Sequence, residues 1–122
     1  EQLNLVLNNL PVDFTVVDEN NRVLYFNNPP HRIFPRSPAV IGREVKNCHP
    51  PKSLDKVEEI VDAFREGSKS HARFWIAVKG RKLLIEYFAL RDADGTYRGV
   101  LEVSQDITEL QALEGDRRLA EW

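Results

Sequence analysis

The sequence predicts an α+β domain, a five-stranded antiparallel sheet with helices on one face, and three observations carry that expectation. Five segments are rich in β-branched and aromatic residues. The turns joining neighbouring segments are short enough to make consecutive antiparallel pairing the simplest connection. One amphipathic stretch, residues 53–66, separates a strand pair from a strand triplet and is long enough to cover both.

Each element follows from the residues in order. Leu3, Val6, Leu7 and Leu10 recur at three- and four-residue spacing, which predicts a short amphipathic helix over 1–9 that Pro11 stops. Residues 13–18 and 22–27 form strands around a turn-forming Glu19-Asn20-Asn21, a β-hairpin. From 28 to 51 six prolines (Pro29, Pro30, Pro35, Pro38, Pro50, Pro51) exclude a long helix or a central strand, so short helical turns and loops are expected. Residues 53–66 place Leu54, Val57, Ile60, Val61 and Phe64 on one helical face, with Gly67 suited to the C-terminal cap. Three strands follow at 71–79, 82–91 and 97–105, joined by Gly80-Arg81 and by Asp92-Ala93-Asp94-Gly95. A last helix is expected over 108–122, opened by a capping box of Thr108 and Gln111, although Gly115 inside it costs about 1 kcal/mol relative to alanine.

Composition narrows the function classes. With 122 residues, 42% hydrophobic and 30% charged, the chain suits a single core rather than two domains or a disordered segment. A net charge of −2 gives no pull toward phosphate backbones, so nucleic acid is not an expected partner. No apolar window spans a bilayer and residues 1–10 do not resemble a signal peptide, which sets a cytoplasmic, membrane-free location as the expectation. The lone Cys48 cannot form an internal disulfide. No methionine is present, so the segment is expected to be part of a longer chain.

The order of elements and their landmarks resemble the PAS domain family. The matching residues are 17–27 on the first hairpin, Val40-Ile41-Gly42-Arg43, and 99–108 ending in Asp106-Ile107-Thr108. Cys48-His49-Pro50-Pro51-Lys52-Ser53, Phe74-Trp75-Ile76, 87–92 and 113–119 are similar to the PAS variant found C-terminal in bacterial proteins that carry a hemerythrin-like HHE cation-binding domain. The resemblance implies a single PAS-like domain over 1–122: an N-terminal helix (1–10), a PAS core (11–107) and an exit helix (108–122). It implies a signal-transduction module that binds a small-molecule cue or cofactor and relays it to an effector through the C-terminal helix, with Asp106, Ile107 and Thr108 as the junction. It further implies homodimerisation through the outer sheet face and N-terminal helix, for which Leu3, Leu7 and Trp75 are candidates.

Candidate ligand-binding residues are Cys48 and His49, on a proline-stiffened turn before the main helix, and Tyr25, Phe64, Phe74, Tyr87 and Leu101 as walls of an interior cavity. His49 could serve as an axial haem ligand, making the domain a gas sensor or small haem enzyme. Against this, haem-binding PAS domains place that histidine within the main helix, and 53–66 has none. The plainer reading keeps His49 as a turn residue. Flavin photochemistry is not expected, because Asn47-Cys48 is followed by His49-Pro50-Pro51-Lys52 rather than the light-sensor motif. Cys48, His49, His31 and His71 match no zinc spacing. Glu86, mid-strand among apolar residues, requires solvent or a partner such as Arg73 or Arg91. No catalytic constellation is present in the sequence, so a sensor, or failing that a ligand-free dimerisation scaffold, is expected rather than an enzyme.

Overall fold

The computed structural model describes residues 2–30, 32–34, 39, 41–43 and 51–120, with backbone alone at 51–55. Helix α1 (Gln2–Leu7) precedes strands β1 (Asp13–Asp18) and β2 (Val23–Phe26). Helix α2 (Pro51–Glu66) then leads into β3 (His71–Val78), β4 (Arg81–Arg91) and β5 (Tyr97–Asp106). All pairings are antiparallel, in the order β2-β1-β5-β4-β3, so the first and last strands meet at the centre of one sheet.

Each turn has a local cause. Asp18 Oδ1 accepts from the backbone N–H of Asn20 (2.9 Å) and of Arg22 (3.0 Å), which folds the first hairpin. Lys79 and Gly80, both at positive φ (50° and 78°), make the two-residue β3–β4 turn that matches strand twist. Asp92 Oδ1 repeats the Asp18 pattern, accepting from Asp94 and Thr96.

Alternation in β1 and β4 puts Val17, Leu83, Ile85 and Tyr87 on the inner sheet face. There Val17, Ile85 and Tyr87 meet Val57, Val61 and Phe64 from one stripe of α2 to form the core, with Val100 from β5. Helix α2 ends where Gly67 (φ 83°) turns the chain so that Ser68 N–H reaches Ala63 O at 3.1 Å. Arg91 fastens that end to the sheet, donating to Phe64 O (2.9 Å) and Lys69 O (3.1 Å).

Two expectations change and a third falls largely outside the described residues. The helix expected over 108–122 is not formed within 108–120; a single 3-10 turn at Leu110–Ala112 is followed by irregular backbone, with Gly115 at φ 60°. Its apolar residues find no surface in the domain, Leu113 and Leu119 being 75% and 79% exposed, and a short isolated helix lacks the stability to persist without one. Helix α1 does not join the inner layer: Tyr25, on the outer side of β2, donates from its hydroxyl to Asn4 Oδ1 (3.3 Å) and holds α1 there. The short helical turns expected in the proline-rich stretch fall largely outside the described residues.

Candidate functional site

The inner sheet face is not uniformly apolar. Asp13, Thr15 and Ser104 lie on it, buried, and Asp13 pairs across the sheet with Ser104. Asn27 and Arg32, just beyond β2, close over this end. Asn27 is fully buried; its carboxamide donates to Leu7 O and Val12 O (both 2.9 Å) and accepts from Phe14 N–H (2.8 Å) and Arg32 Nη1 (3.1 Å). All four of its hydrogen-bonding positions are filled.

Arg32 spans the group. Its Nη1 also donates to Asn27 O (2.8 Å), its Nη2 donates to Thr15 Oγ1 (3.0 Å), and its guanidinium carbon sits 5.4 Å from the centre of the Phe26 ring. Nη1 lies 3.8 Å from Asp13 Oδ2, an ion pair with both side chains almost wholly removed from solvent. Asp13 Oδ2 also accepts from the N–H groups of Ile33 and Phe34, each at 3.1 Å. Asp13 Oδ1, equally buried, has no hydrogen-bond partner.

At the far end of the chain the strand-to-exit junction is closed by a compact set of bonds. Asp106 Oδ1 accepts from Thr108 N–H (3.0 Å) and from the Thr108 hydroxyl (2.6 Å). These bonds favour the carboxylate and hold the Asp106 pKa below its ordinary value. Thr108 Oγ1 in turn accepts from Lys82 N–H (2.9 Å), and Ile107 N–H donates to Lys82 O (2.9 Å). The exit is therefore tied to the first residues of β4.

On the outer face of the edge strand, His71 Nε2 lies 2.8 Å from Glu86 Oε2, and Arg73 contacts the same oxygen at 3.2 Å. The His71 hydrogen bond leads the effects that lower the Glu86 pKa, with Arg73 adding to it. Trp75, on the same face, is 61% exposed.

A match to the PAS domain family model runs over residues 3–108, nearly the whole chain. The chain belongs to the PAS domain family. Solved structures agree: a C-terminal domain from Streptococcus mutans is similar at 36% identity and a TM-score of 0.85, covering 93% of this chain and 88% of that one. A sensory box sensor histidine kinase from Vibrio cholerae shares the fold at 17% identity and a TM-score of 0.64, over 88% of this chain and 90% of that one. A PAS domain from Colwellia psychrerythraea does so at 17% identity and a TM-score of 0.64, over 88% and 96%. A search of curated proteins returned no match. PAS domains are generally sensory, non-enzymatic modules.

Within this PAS domain the residues singled out from sequence divide three ways. Phe64 and Tyr87 stand together in the core, and Phe74 stacks on Tyr87 with ring centres 6.0 Å apart. Tyr25 and Leu101 do not line the interior: both are register partners of Val16, on the outer face, Leu101 because it is one residue out of phase with buried Val100, and Tyr25 because the register shifts between Val16 and Val17, two residues from buried Val23. Cys48, His49 and His31 lie outside the described residues, and His71 is engaged by Glu86 away from the inner face. Among the described residues no three His, Cys, Asp or Glu side chains converge.

Leu3 is exposed and Leu7 half-buried, on a helix held to Tyr25 of β2, whereas Trp75 lies on β3 at the opposite edge of the sheet. A shallow concavity on the solvent side of α2, lined by Glu58, Glu59, Asp62 and Glu66, is ringed by solvated carboxylates and is remote from the inner polar group. Sequence reasoning missed Asp13, Asn27 and Arg32. The signal was present in Asp13 and Thr15, two polar residues in phase with Val17 on a strand whose alternate positions are buried.

Proposed function

We propose that this PAS domain is the sensory module of a bacterial signalling protein, binding a small-molecule cue on the inner sheet face and relaying it through the Asp106–Thr108 junction. One observation carries the reading: the Asp106–Thr108–Lys82 bonds couple the exit of the chain to the start of β4, a strand whose middle residues form the floor of the core. A cue that displaces β4 against β5 must strain these bonds. It can shift the equilibrium only by its difference in affinity for the two states.

The test is hydrogen exchange at Ile107 and Lys82 on the protein as purified from its native host, before and after removal of whatever co-purifies. Loss of protection at both amides on removal supports the relay. Unchanged protection, with a bound small molecule shown by native mass spectrometry, sinks it. The absorption spectrum of the same sample addresses the haem reading, since a Soret band lost in His49→Ala is required for it.

A second reading, homodimerisation, is favoured by Trp75 at 61% exposure and by the exposed Leu3, Leu5 and Val6 of α1. In this reading Leu3, Leu7 and Trp75 contribute to a shared outer-face interface. The similar Streptococcus mutans structure is itself described as a C-terminal domain, which supports placing this module after other domains. A hemerythrin-like HHE domain is the proposed neighbour, and a cytoplasmic location the proposed setting. No helix among the described residues is long and apolar enough to cross a membrane.

A further inference from the structure

We propose that Asp13 and Ser104 form the recognition point for a carboxamide or urea-type group on the ligand, an inference that rests on the sensory reading and specifies the chemistry of its site. Three features lead there. Asp13 is 4% exposed, and its Oδ1 accepts no hydrogen bond although a buried carboxylate oxygen left unpaired is costly. That oxygen is matched by an N–H donor.

The charge of Asp13 is already answered. Arg32 Nη1 stands 3.8 Å from Oδ2, and Ile33 and Phe34 give it two N–H donors. A cationic ligand at Oδ1 would meet the guanidinium in a desolvated space, where like charges repel strongly. A neutral N–H donor supplies the missing bond without that repulsion.

Ser104 supplies the complement. It is the register partner of Asp13 on β5, on the same face and 3% exposed. Paired residues in adjacent strands have Cβ atoms about 5 Å apart. An acceptor oxygen and a hydroxyl at that separation match the N–H and C=O of one carboxamide, the first donating to Asp13 Oδ1 and the second accepting from Ser104 Oγ. A carboxylate ligand would place its oxygens against Asp13, and an ammonium would add a second cation beside Arg32.

Asp13→Asn reverses the polarity of the site without changing its shape. The N–H groups of Ile33 and Phe34 fix the amide oxygen in the Oδ2 position, so the new amide nitrogen, a donor, occupies the Oδ1 position. Backbone amide resonances of Ile33, Phe34 and Ser104 are followed by NMR during titration with acetamide, nicotinamide and N-methylurea, with acetate and methylammonium as controls. The three donors should move these resonances and the controls should not. Asp13→Asn should weaken binding by about 10- to 150-fold, the range for a lost bond to a charged group. Ser104→Ala, which keeps Asp13 intact, should weaken it by a smaller factor and serves if Asp13→Asn fails to fold.

Absence of any shift, shifts that persist in both variants, or a crystal structure of the probe-soaked protein with only an ordered water on Oδ1 overturns the inference. If the probes bind through Asp13 while exchange at Ile107 is unmoved, the site stands and the relay falls. If another ligand changes exchange at Ile107 and no carboxamide binds, the relay stands and this site falls.

Discussion

At the scale of single residues, a few side chains hold positions that substitution cannot share. Asn27 ties the end of α1, the loop before β1, the β1 backbone and Arg32 to one carboxamide. Asn27→Ala leaves Leu7 O, Val12 O and Phe14 N–H without those bonds in a buried place, and should destabilise the domain by about 2–4 kcal/mol in urea unfolding. Gly99 is constrained by space as well as by its φ of 142°: a Cβ there would lie 2.0 Å from Val17 O in the neighbouring strand. Gly99→Ala therefore has to push β1 from β5, with an expected loss of at least about 2 kcal/mol measured the same way. Neither residue announces its role locally. The partners of Asn27 are up to 20 positions away, and Gly99 reads in sequence as a weak spot in a strand.

Elements were legible where their causes are local. The three hairpin turns could be read from Glu19-Asn20-Asn21, Gly80-Arg81 and Asp92 with Gly95, because their causes are local, although the side chain that folds the first, Asp18, was read only as a strand residue. The stripe of α2 was legible from spacing, and its partner was not. The expected exit helix failed for the opposite reason: Leu110, Leu113 and Leu119 have helical spacing, but periodicity says nothing about whether a surface exists to receive it. The junction before it was legible in Asp106-Ile107-Thr108, and its hold on Lys82 was not.

Thr108→Val keeps the shape of that junction and removes the acceptor of Lys82 N–H. The cost should be about 1 kcal/mol, with faster amide exchange at Lys82 and Ile107 and little change in the core. The junction should also respond to acid. Because the folded pKa of Asp106 is depressed, its contribution is complete above the ordinary aspartate range and is lost as pH falls through the lower folded value, below about pH 4. Exchange at Thr108 should rise there in wild type and be flat across that window in Asp106→Asn.

For the molecule as a whole, the two faces of the sheet divide the work. The inner face buries a polar group inside a core, and the outer face leaves Trp75 and the apolar side of α1 in solvent. If the outer face is a dimer surface, Trp75→Glu should convert dimer to monomer in sedimentation velocity while the far-UV spectrum is unchanged. A single species of unchanged mass in both proteins would remove Trp75 from any interface. Fold class and the α2 stripe followed from sequence, whereas the pairing of β1 with β5 did not, and the inner polar group was signalled only by Asp13 and Thr15 in phase with Val17.

The central position of β1 and β5 has one more consequence. Asp13 opens the first strand opposite Ser104 near the close of the last, so the chain enters and leaves the sheet at the same end, side by side. Topologically the domain is a plug rather than a link: the strands that receive and release the chain lie side by side and open at the same end of the sheet. A sliding of β1 along β5 would pull one lead in while letting the other out, so a domain joined at either lead would receive a movement whose sign depends on the end it occupies.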